Sequence, residues 1–348
     1  MNDFLEFEKP ILEIQARINH LKDRLQTDPR LGEEIKKLQK KMEALQEEIY
    51  SRLTAWQKTL IARHSQRPNT DDYLKMLFDD FTELHGDRLY GDDKSILTGF
   101  ARLEGRSVIV IGHQKGKTVK ERIARNFGMP HPEGYRKALR VMQLAERFKK
   151  PIITLVDTPG AYPGIGAEER GQSEAIARNL LVMSGLKVPI LSVVIGEGGS
   201  GGALAISVAD RLLMLQNAIY SVISPEGCAA ILWNDVSKAA DAAEALKMTA
   251  TDLLQLKIID EIIPEPPGGA HRNPERMGET LSKTLTRHLR EIESFPEEER
   301  LEMRYQRLRK IGAYTEESPS AKTPSASSAP ASTTAASASP ESSPSKPV

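Results

Sequence analysis

Apolar residues return every three or four positions through the first sixty residues of the chain. Ile11, Ile14, Ile18, Leu21 and Leu25 make one run; Leu31, Ile35, Leu38, Met42, Leu45 and Ile49 make a second, which Leu53, Trp56 and Leu60 continue. Lys and Glu occupy most positions between them. One apolar stripe at a period near 3.6 predicts an amphipathic helix for each run. Pro29 separates them and cannot donate a helical hydrogen bond, so a turn is predicted there. Residues 1–67 are therefore expected to hold a helical hairpin packed on its own domain or on a partner. The heptad run is too short for a free-standing coiled coil.

From residue 68 the pattern changes. Continuous apolar runs at 108–111, 151–156 and 189–195 predict buried strands, and shorter ones are expected at 212–215, 219–223 and 258–263. Amphipathic stretches at 133–149, 167–184, 202–208, 225–256, 275–293 and 297–311 predict helices between and after them. Apolar strands alternating with helices indicate an α/β core whose sheet is covered on both faces. This domain is expected to span residues 68–314. Residues 315–348 are nearly all Ser, Ala, Pro, Thr and Lys, without an aromatic residue, Leu or Ile. Such a segment buries too little apolar area to offset its ordering entropy, and a disordered tail is predicted.

Charge narrows the function classes. The chain has 348 residues with 48 basic and 48 acidic side chains. That balance argues against a dedicated nucleic-acid binder. The single cysteine, Cys228, excludes an internal disulfide framework and a Cys-rich zinc site. The N-terminus lacks the basic start and apolar run of a secretion signal, and no apolar run nears the roughly 18 residues of a membrane span. A soluble, cytoplasmic protein without a membrane association is expected.

Two strand-to-loop junctions carry the candidate chemistry. One is Asp157-Thr158-Pro159-Gly160-Ala161-Tyr162-Pro163-Gly164; the other is Gly196-Glu197-Gly198-Gly199-Ser200-Gly201-Gly202. Glycine lets backbone approach a ligand closely, and the N–H groups of a following helix favour negative charge. A phosphate fits such a turn, and so does an oxygen that becomes negative in a transition state. A phosphate-binding reading has one further motif, Gly112-His113-Gln114-Lys115-Gly116-Lys117-Thr118, but it has three residues between its glycines where a P-loop has four. Residues 102–150 carry 13 Lys or Arg against 4 Glu and no Asp, either a solvated face or a surface for an anionic partner. The seven histidines form no ligand pair at metal spacing, and no metal site is expected. Cys228, near a predicted helix start, is read as a small structural residue.

The segments 112–116, 125–130, 132–138, 157–171, 196–205 and 221–233, with 265–272, resemble the α-subunit family of bacterial acetyl-CoA carboxylase carboxyltransferases, and the resemblance runs from about residue 4 to 314. It implies a crotonase-like (ClpP/crotonase) fold of repeated ββα units. It implies transfer of a carboxyl group from carboxybiotin on a biotin carboxyl carrier protein to acetyl-CoA, forming malonyl-CoA, the first committed step of fatty acid synthesis. It further implies an α2β2 assembly with a β subunit that carries zinc, served by a separate biotin carboxylase. The family's paired glycine N–H groups, which hold the biotin ureido oxygen, fall on Gly201 and Gly202. Gly160, Ala161, Gly198, Gly199, Lys115 and Lys117 are the expected substrate-binding positions. Biotin itself then serves as base, and no protein nucleophile is required.

Overall fold

The structure, a computed structural model, describes residues 5–25, 28 and 30–312. Helices α1 (Lys9–Arg24) and α2 (Leu31–Ser51) pack through Ile18, Leu21 and Ile35, with Ile14, Leu38 and Met42 at the edge. This is the expected hairpin; Pro29, where its turn was placed, and the tail read as disordered lie outside the described residues. The second stripe does not run on to Leu60. It ends at Ser51, and Thr54 opens a separate helix, α3 (Ala55–Ala62). The Gln57 N–H donates to the Thr54 hydroxyl while the Thr54 N–H donates to the Gln57 side chain. This reciprocal cap overrides the continuing period and places Trp56 against a cluster that includes Ala55, Ala62 and Ile219.

Helix α4 (Thr70–Leu77) leads into β1 (Phe78–Glu83), β2 (Ile96–Leu103) and β3 (Arg106–His113). Next come α5 (Val119–Ala124), α6 (Pro132–Arg147), β4 (Ile152–Thr158), α7 (Ile165–Glu169), α8 (Gln172–Gly185), β5 (Ile190–Gly199) and α9 (Ser200–Leu204). The described chain closes with β6 (Arg211–Leu215), β7 (Ile219–Ser221), α10 (Pro225–Trp233), α11 (Ala239–Ala245), α12 (Ala250–Gln255), β8 (Glu261–Ile263), α13 (Pro274–Glu293) and α14 (Glu297–Arg309). The sheet runs β1-β2-β3-β4-β5-β6-β8, with β7 pairing β5 beyond the end of β6. The first three strands are antiparallel and the rest parallel. Two strands followed by a helix recur at β2–β3–α5 and β6–β7–α10, as a crotonase-like fold requires.

Every residue of β4 and β5 is buried, which explains their unbroken apolar runs. Sequence periodicity missed β1 and β2. Strand β1 reads Phe-Asp-Asp-Phe-Thr-Glu, an edge with polar residues and a register shift between Asp79 and Thr82. The predicted helix at 167–184 is two helices, because Gly171 sits at φ 80° between α7 and α8. The helices expected across 225–256 are present as α10, α11 and α12, parted at Asn234 in the left-handed region and again after Ala245.

Two buried arginines fasten the periphery to the sheet. Arg304 of α14 donates to both Asp210 oxygens at 2.8 Å and to the carbonyls of Met183, Leu186 and Val188. Arg67, after α3, makes paired bonds of 2.6 and 3.0 Å to Glu265 and a third to the Ile195 carbonyl in β5. Burial pushes the Glu265 carboxyl up, but Arg67 and the N–H groups of Asn217 and Ala270 outweigh it and hold the carboxyl below its ordinary range. Replacing Arg67 by Met strands a buried carboxylate. The Arg67→Met protein should lose about 3–5 kcal/mol of unfolding free energy in urea, with part regained in Arg67→Met/Glu265→Gln; a loss below about 1 kcal/mol contradicts the anchoring role.

Candidate active site at two strand ends

Strands β4 and β5 are parallel neighbours, so both glycine junctions emerge side by side at their carboxyl ends. The chain leaves β4 at Thr158, and the Thr158 hydroxyl clamps the turn by accepting from the Gly160 N–H at 3.0 Å and donating to the Gly160 carbonyl at 2.8 Å. Strand β5 continues four residues past its expected end at Ile195, so Gly196, Gly198 and Gly199 are strand residues; α9 spans Ser200–Leu204, starting before and ending short of the helix expected at 202–208. Side chains at these three positions would collide with the Asp157 carboxylate, the Tyr220 ring and the Pro159 backbone, respectively. At Gly202 a Cβ would stand 2.6 Å from the Ala161 nitrogen and the Gly160 carbonyl carbon. Gly201 differs: its nearest neighbour would be the Ile176 side chain at 3.6 Å, an ordinary contact.

Gly199 and Gly202 therefore serve backbone-to-backbone approach, and Gly196 and Gly198 make room for the Asp157 and Tyr220 side chains. The left-handed conformation of this turn falls on Ser200 (φ 55°), a strained choice for a residue with a side chain. Ser200 is exposed, Gly201 and Ala161 half-buried, Gly160 and Gly202 buried. Gly201 and Gly202 lie in the first turn of α9, where N–H groups have no carbonyl of their own helix to reach.

Behind the turn lies a closed set of charges. Lys115 Nζ is 2.7 Å from Asp157 and 3.4 Å from Glu197. Arg63 contacts Glu197 at 2.7 Å and Glu226 at 2.6 Å. The Glu197 N–H also donates to Asp157 Oδ1 at 2.9 Å, so the ends of β4 and β5 are cross-braced. Burial alone would raise the Glu197 pKa and lower that of Lys115; the opposite charges win, holding Glu197 below and Lys115 above their ordinary values. Arg63, Lys115, Asp157 and Glu197 line a cavity of about 180 Å³ with Pro159, Arg122 and Phe127. Lys115, expected at the substrate, is thus committed to two carboxylates. Lys117 lies at the surface, 2.6 Å from Asp72. Arg63, Asp157, Glu197 and Glu226 were not singled out from sequence, though three of the brace's charges, Lys115, Asp157 and Glu197, stand within the glycine segments themselves.

The resemblance of residues 112–118 to a P-loop ends at the backbone. The N–H groups of Lys117 and Thr118 donate to Glu121 at 2.8 and 3.1 Å, and the Thr118 hydroxyl caps α5 in return. No ring of free donors is left for a phosphate. Part of the basic stretch is consumed inside the fold: Lys137 is buried on Asp92 and the Asp93 carbonyl, and Arg136 contacts Asp87 and Glu133, while Arg102, Arg106, Lys117, Lys120, Arg147 and Lys149 are exposed. Cys228 packs with Ala229 and Ala242. Among the described residues no group of His, Cys, Asp or Glu is arranged to hold a metal ion, and no helix is long and apolar enough to cross a membrane.

The family profile described as acetyl co-enzyme A carboxylase carboxyltransferase-like matches residues 4–312. This chain belongs to that family. The acetyl-coenzyme A carboxylase carboxyl transferase subunit alpha of Geobacter metallireducens is 59% identical over 312 residues, 90% of this chain and 98% of the relative. The same subunit of Halalkalibacterium halodurans is 57% identical over 318 residues, 90% and 97% of the two chains. Among solved structures, the β subunit of Pseudomonas aeruginosa geranyl-CoA carboxylase aligns with a TM-score of 0.51 at 17% identity, over 70% of this chain and 46% of that one. A Pseudomonas malonate decarboxylase hetero-tetramer aligns at 0.50 and 18%, over 64% and 91%. At such identities these two speak for the fold alone, and the fold is crotonase-like. The chain is a transferase of the carboxyltransferase family, whose reaction carboxylates acetyl-CoA to malonyl-CoA. The family implies biotin borne on a carrier protein and a multi-subunit complex.

Two outcomes follow from this geometry. Gly202→Ala should cost about 1–3 kcal/mol through overpacking against Gly160 and Ala161, whereas Gly201→Ala should unfold within about 0.5 kcal/mol of the parent; urea midpoints that rank the pair the other way refute the packing assignment. The second concerns pH. Burial first, then nearby cations and the stacked His64 ring in the case of His271, push His113 and His271 down from 6.5 to about 3. Below about pH 6.5 the unfolded chain binds two protons that the folded chain refuses. Stability should therefore fall with acidification toward pH 3, by up to roughly 1.4 kcal/mol per pH unit for each ring. Unfolding midpoints that stay flat between pH 7 and 5 contradict it.

Proposed function

We propose that the Gly201 and Gly202 N–H groups receive the developing negative charge of the biotin ureido oxygen while the carboxyl group passes to acetyl-CoA. The observation that carries this reading is the difference between the two glycines and their neighbours. Gly198 and Gly199 are spent closing β5 against Pro159 and Tyr220, while Gly201 and Gly202 begin a helix beside the half-open face of Ala161. A flat ureido edge fits a wall that holds glycine, glycine and alanine and leaves no side chain projecting.

Carboxybiotin, brought by the biotin carboxyl carrier protein, supplies the carboxyl group and, once decarboxylated, the base for the acetyl methyl group. This chain's residues do the rest by position. Gly160 and Ala161 form the facing wall. Gly199 permits the two junctions to touch, and Gly198 admits the Tyr220 ring beside them. Lys115 acts through the brace that fixes Asp157 and Glu197, and Lys117, at the surface and paired with Asp72, would meet an anionic substrate group only by exchanging that partner. The chain offers fixed dipoles in place of a protein base, consistent with a strategy in which preorganised donors carry the stabilisation. In this reading a β subunit completes the acetyl-CoA side and carries the zinc, in an α2β2 assembly located in the cytoplasm and supplied by a separate biotin carboxylase.

A proline at Gly202 would clash with Gly160 and Ala161 whatever became of its N–H, so a side-chain-free change is the sharper test. Glycolic acid in place of Gly201 or Gly202 exchanges N–H for an ester oxygen. In the assembled α–β complex, each exchange should lower kcat for malonyl-CoA formation by roughly 10²–10³ with KM for acetyl-CoA little altered. Full kcat in a folded ester-bearing complex rejects the oxyanion role.

A further inference from the structure

Helix α5 leaves its apolar residues in solvent. Val119 is 71% exposed, and Ile123, one turn later on the same face, is 60% exposed. Phe127 follows at 52%, with its backbone at φ 55° between Asn126 at φ 48° and Gly128 at φ 81°. Two successive left-handed residues with side chains persist only where the surrounding bonds impose them. Those bonds are present. The Gly128 and Met129 N–H groups donate to the Arg125 and Asn126 carbonyls at 2.8 and 2.9 Å. Arg125 donates to the Lys94 carbonyl at 2.7 Å, and the Asn126 amide meets the His131 ring at 2.8 Å. A Cβ at Gly128 would stand 2.5 Å from Lys115 Cγ, so the segment is seated on the brace itself. The apolar surface is therefore presented by a fixed backbone, as an interaction site requires.

The charge around this surface is of one sign. Residues 115–125 hold Lys115, Lys117, Lys120, Arg122 and Arg125 against Glu121 alone. Lys115 belongs to the brace, Lys117 pairs with Asp72, and Glu121 is taken by the N–H groups of Lys117 and Thr118. Arg122 and Arg125 donate to carbonyls, those of Gly116 and Lys94. Among the described residues no carboxylate lies within ion-pair distance of Lys120, Arg122 or Arg125. Arg122 and Phe127 also line the cavity that holds Lys115, Asp157 and Glu197. Pro159, on the same cavity, lies against Gly199 of the glycine turn. The surface thus reaches the rim of the proposed site.

We propose that α5 and residues 125–127 are the surface on which the biotin carrier protein lands, meeting it through an acidic face with an apolar centre on that partner. The inference rests on the reading that carrier-borne biotin reaches the glycine turn. A carrier that serves two enzymes in alternation must be released, and three apolar side chains among unmatched cations suit a small, polar, reversible contact. A permanent subunit interface is larger and more apolar. The exposed run of Ile231, Leu232, Trp233 and Val236, at and after α10, is of that second kind. The phosphates of acetyl-CoA would engage the cations and leave Val119 and Ile123 without a partner.

Ile123→Ser and Lys120→Glu, each made in the α–β complex, test the surface. Both side chains are exposed and neither lines the cavity, so both variants should fold and assemble. The reverse reaction, carboxyl transfer from malonyl-CoA, is followed with two acceptors, the biotinylated carrier protein and free biotin. Each variant should raise KM for the carrier by roughly 5- to 50-fold with kcat little altered. With free biotin, kcat and KM should stay within about twofold of the parent. Added salt should raise KM for the carrier more steeply in the parent than in Lys120→Glu. An unchanged KM for the carrier in either variant overturns the proposal. So does an equal rise for free biotin, which places the defect in the site. A raised KM for malonyl-CoA overturns it by assigning the cations to CoA phosphates, and loss of the complex on gel filtration does so by assigning the surface to the β subunit. The two readings fail separately. A harmless ester exchange at Gly202 removes the oxyanion role, whereas intact free-biotin turnover with an unchanged KM for the carrier removes only the landing surface.

Discussion

The approach of two backbones at the ends of β4 and β5 is the constraint on which the rest of the site depends. Pro159 lies against Gly199, and Gly160 and Ala161 lie against Gly202, at separations that admit no side chain. Parallel pairing supplies the approach, since it brings both carboxyl ends to the same edge of a sheet covered on both faces. The approach also brings the carboxylates of Asp157 and Glu197 to one buried place. Unit charges about 4 Å apart interact by about 4 kcal/mol at an effective dielectric of 20, so two such carboxylates need cations of their own. Lys115 and Arg63 are those cations, and the depressed pKa of Glu197 shows that attraction exceeds both burial and repulsion there.

Much of this was legible in the sequence. The unbroken apolar runs at 151–156 and 189–195 report strands buried on both faces, and the hairpin's two stripes report helices with one buried side. What sequence reasoning missed has physical causes. Strand β1 is a polar edge without periodicity, and β2 holds Gly99 where Phe81 and the Thr82 carbonyl press close. The boundary between α2 and α3 depends on a capping box that local hydrogen bonds decide against the apolar pattern. At the site, the glycine cluster was visible as one object, but its division into strand glycines and helix glycines was not. That division is set by Asp157, Pro159 and Tyr220, which are distant in sequence from most of the glycines they exclude from side chains.

The charged groups illustrate the same limit. A count of 13 basic residues against 4 acidic ones between 102 and 150 suggests a surface awaiting an anion. In the fold, Lys115, Arg136 and Lys137 turn inward to carboxylates contributed from residues 87–92, 133, 157 and 197. Composition reports charge per segment; the partners that neutralise it come from elsewhere in the chain. The P-loop-like run fails for a related reason. Its donors exist, and Glu121 has already taken two of them.

These internal pairings bear directly on how a turn without a reactive side chain can serve a carboxyl transfer. A mobile lysine or arginine at the transition state would have to reorganise as charge develops, and each cation behind the turn is already fixed by two carboxylates or by carbonyls. Fixed peptide dipoles need no such reorganisation, and they act more strongly where water is excluded. The brace of Lys115, Asp157, Glu197 and Arg63 therefore does two things at once in the proposed reading. It neutralises the charges that close packing creates, and it leaves the N–H groups of the turn as the rigid electropositive feature facing the half-open wall of Ala161. A stronger ligand for anions placed there, such as a free lysine, would bind the ground-state carboxylate as well as the transition state, and uniform binding of that kind lowers KM without raising kcat.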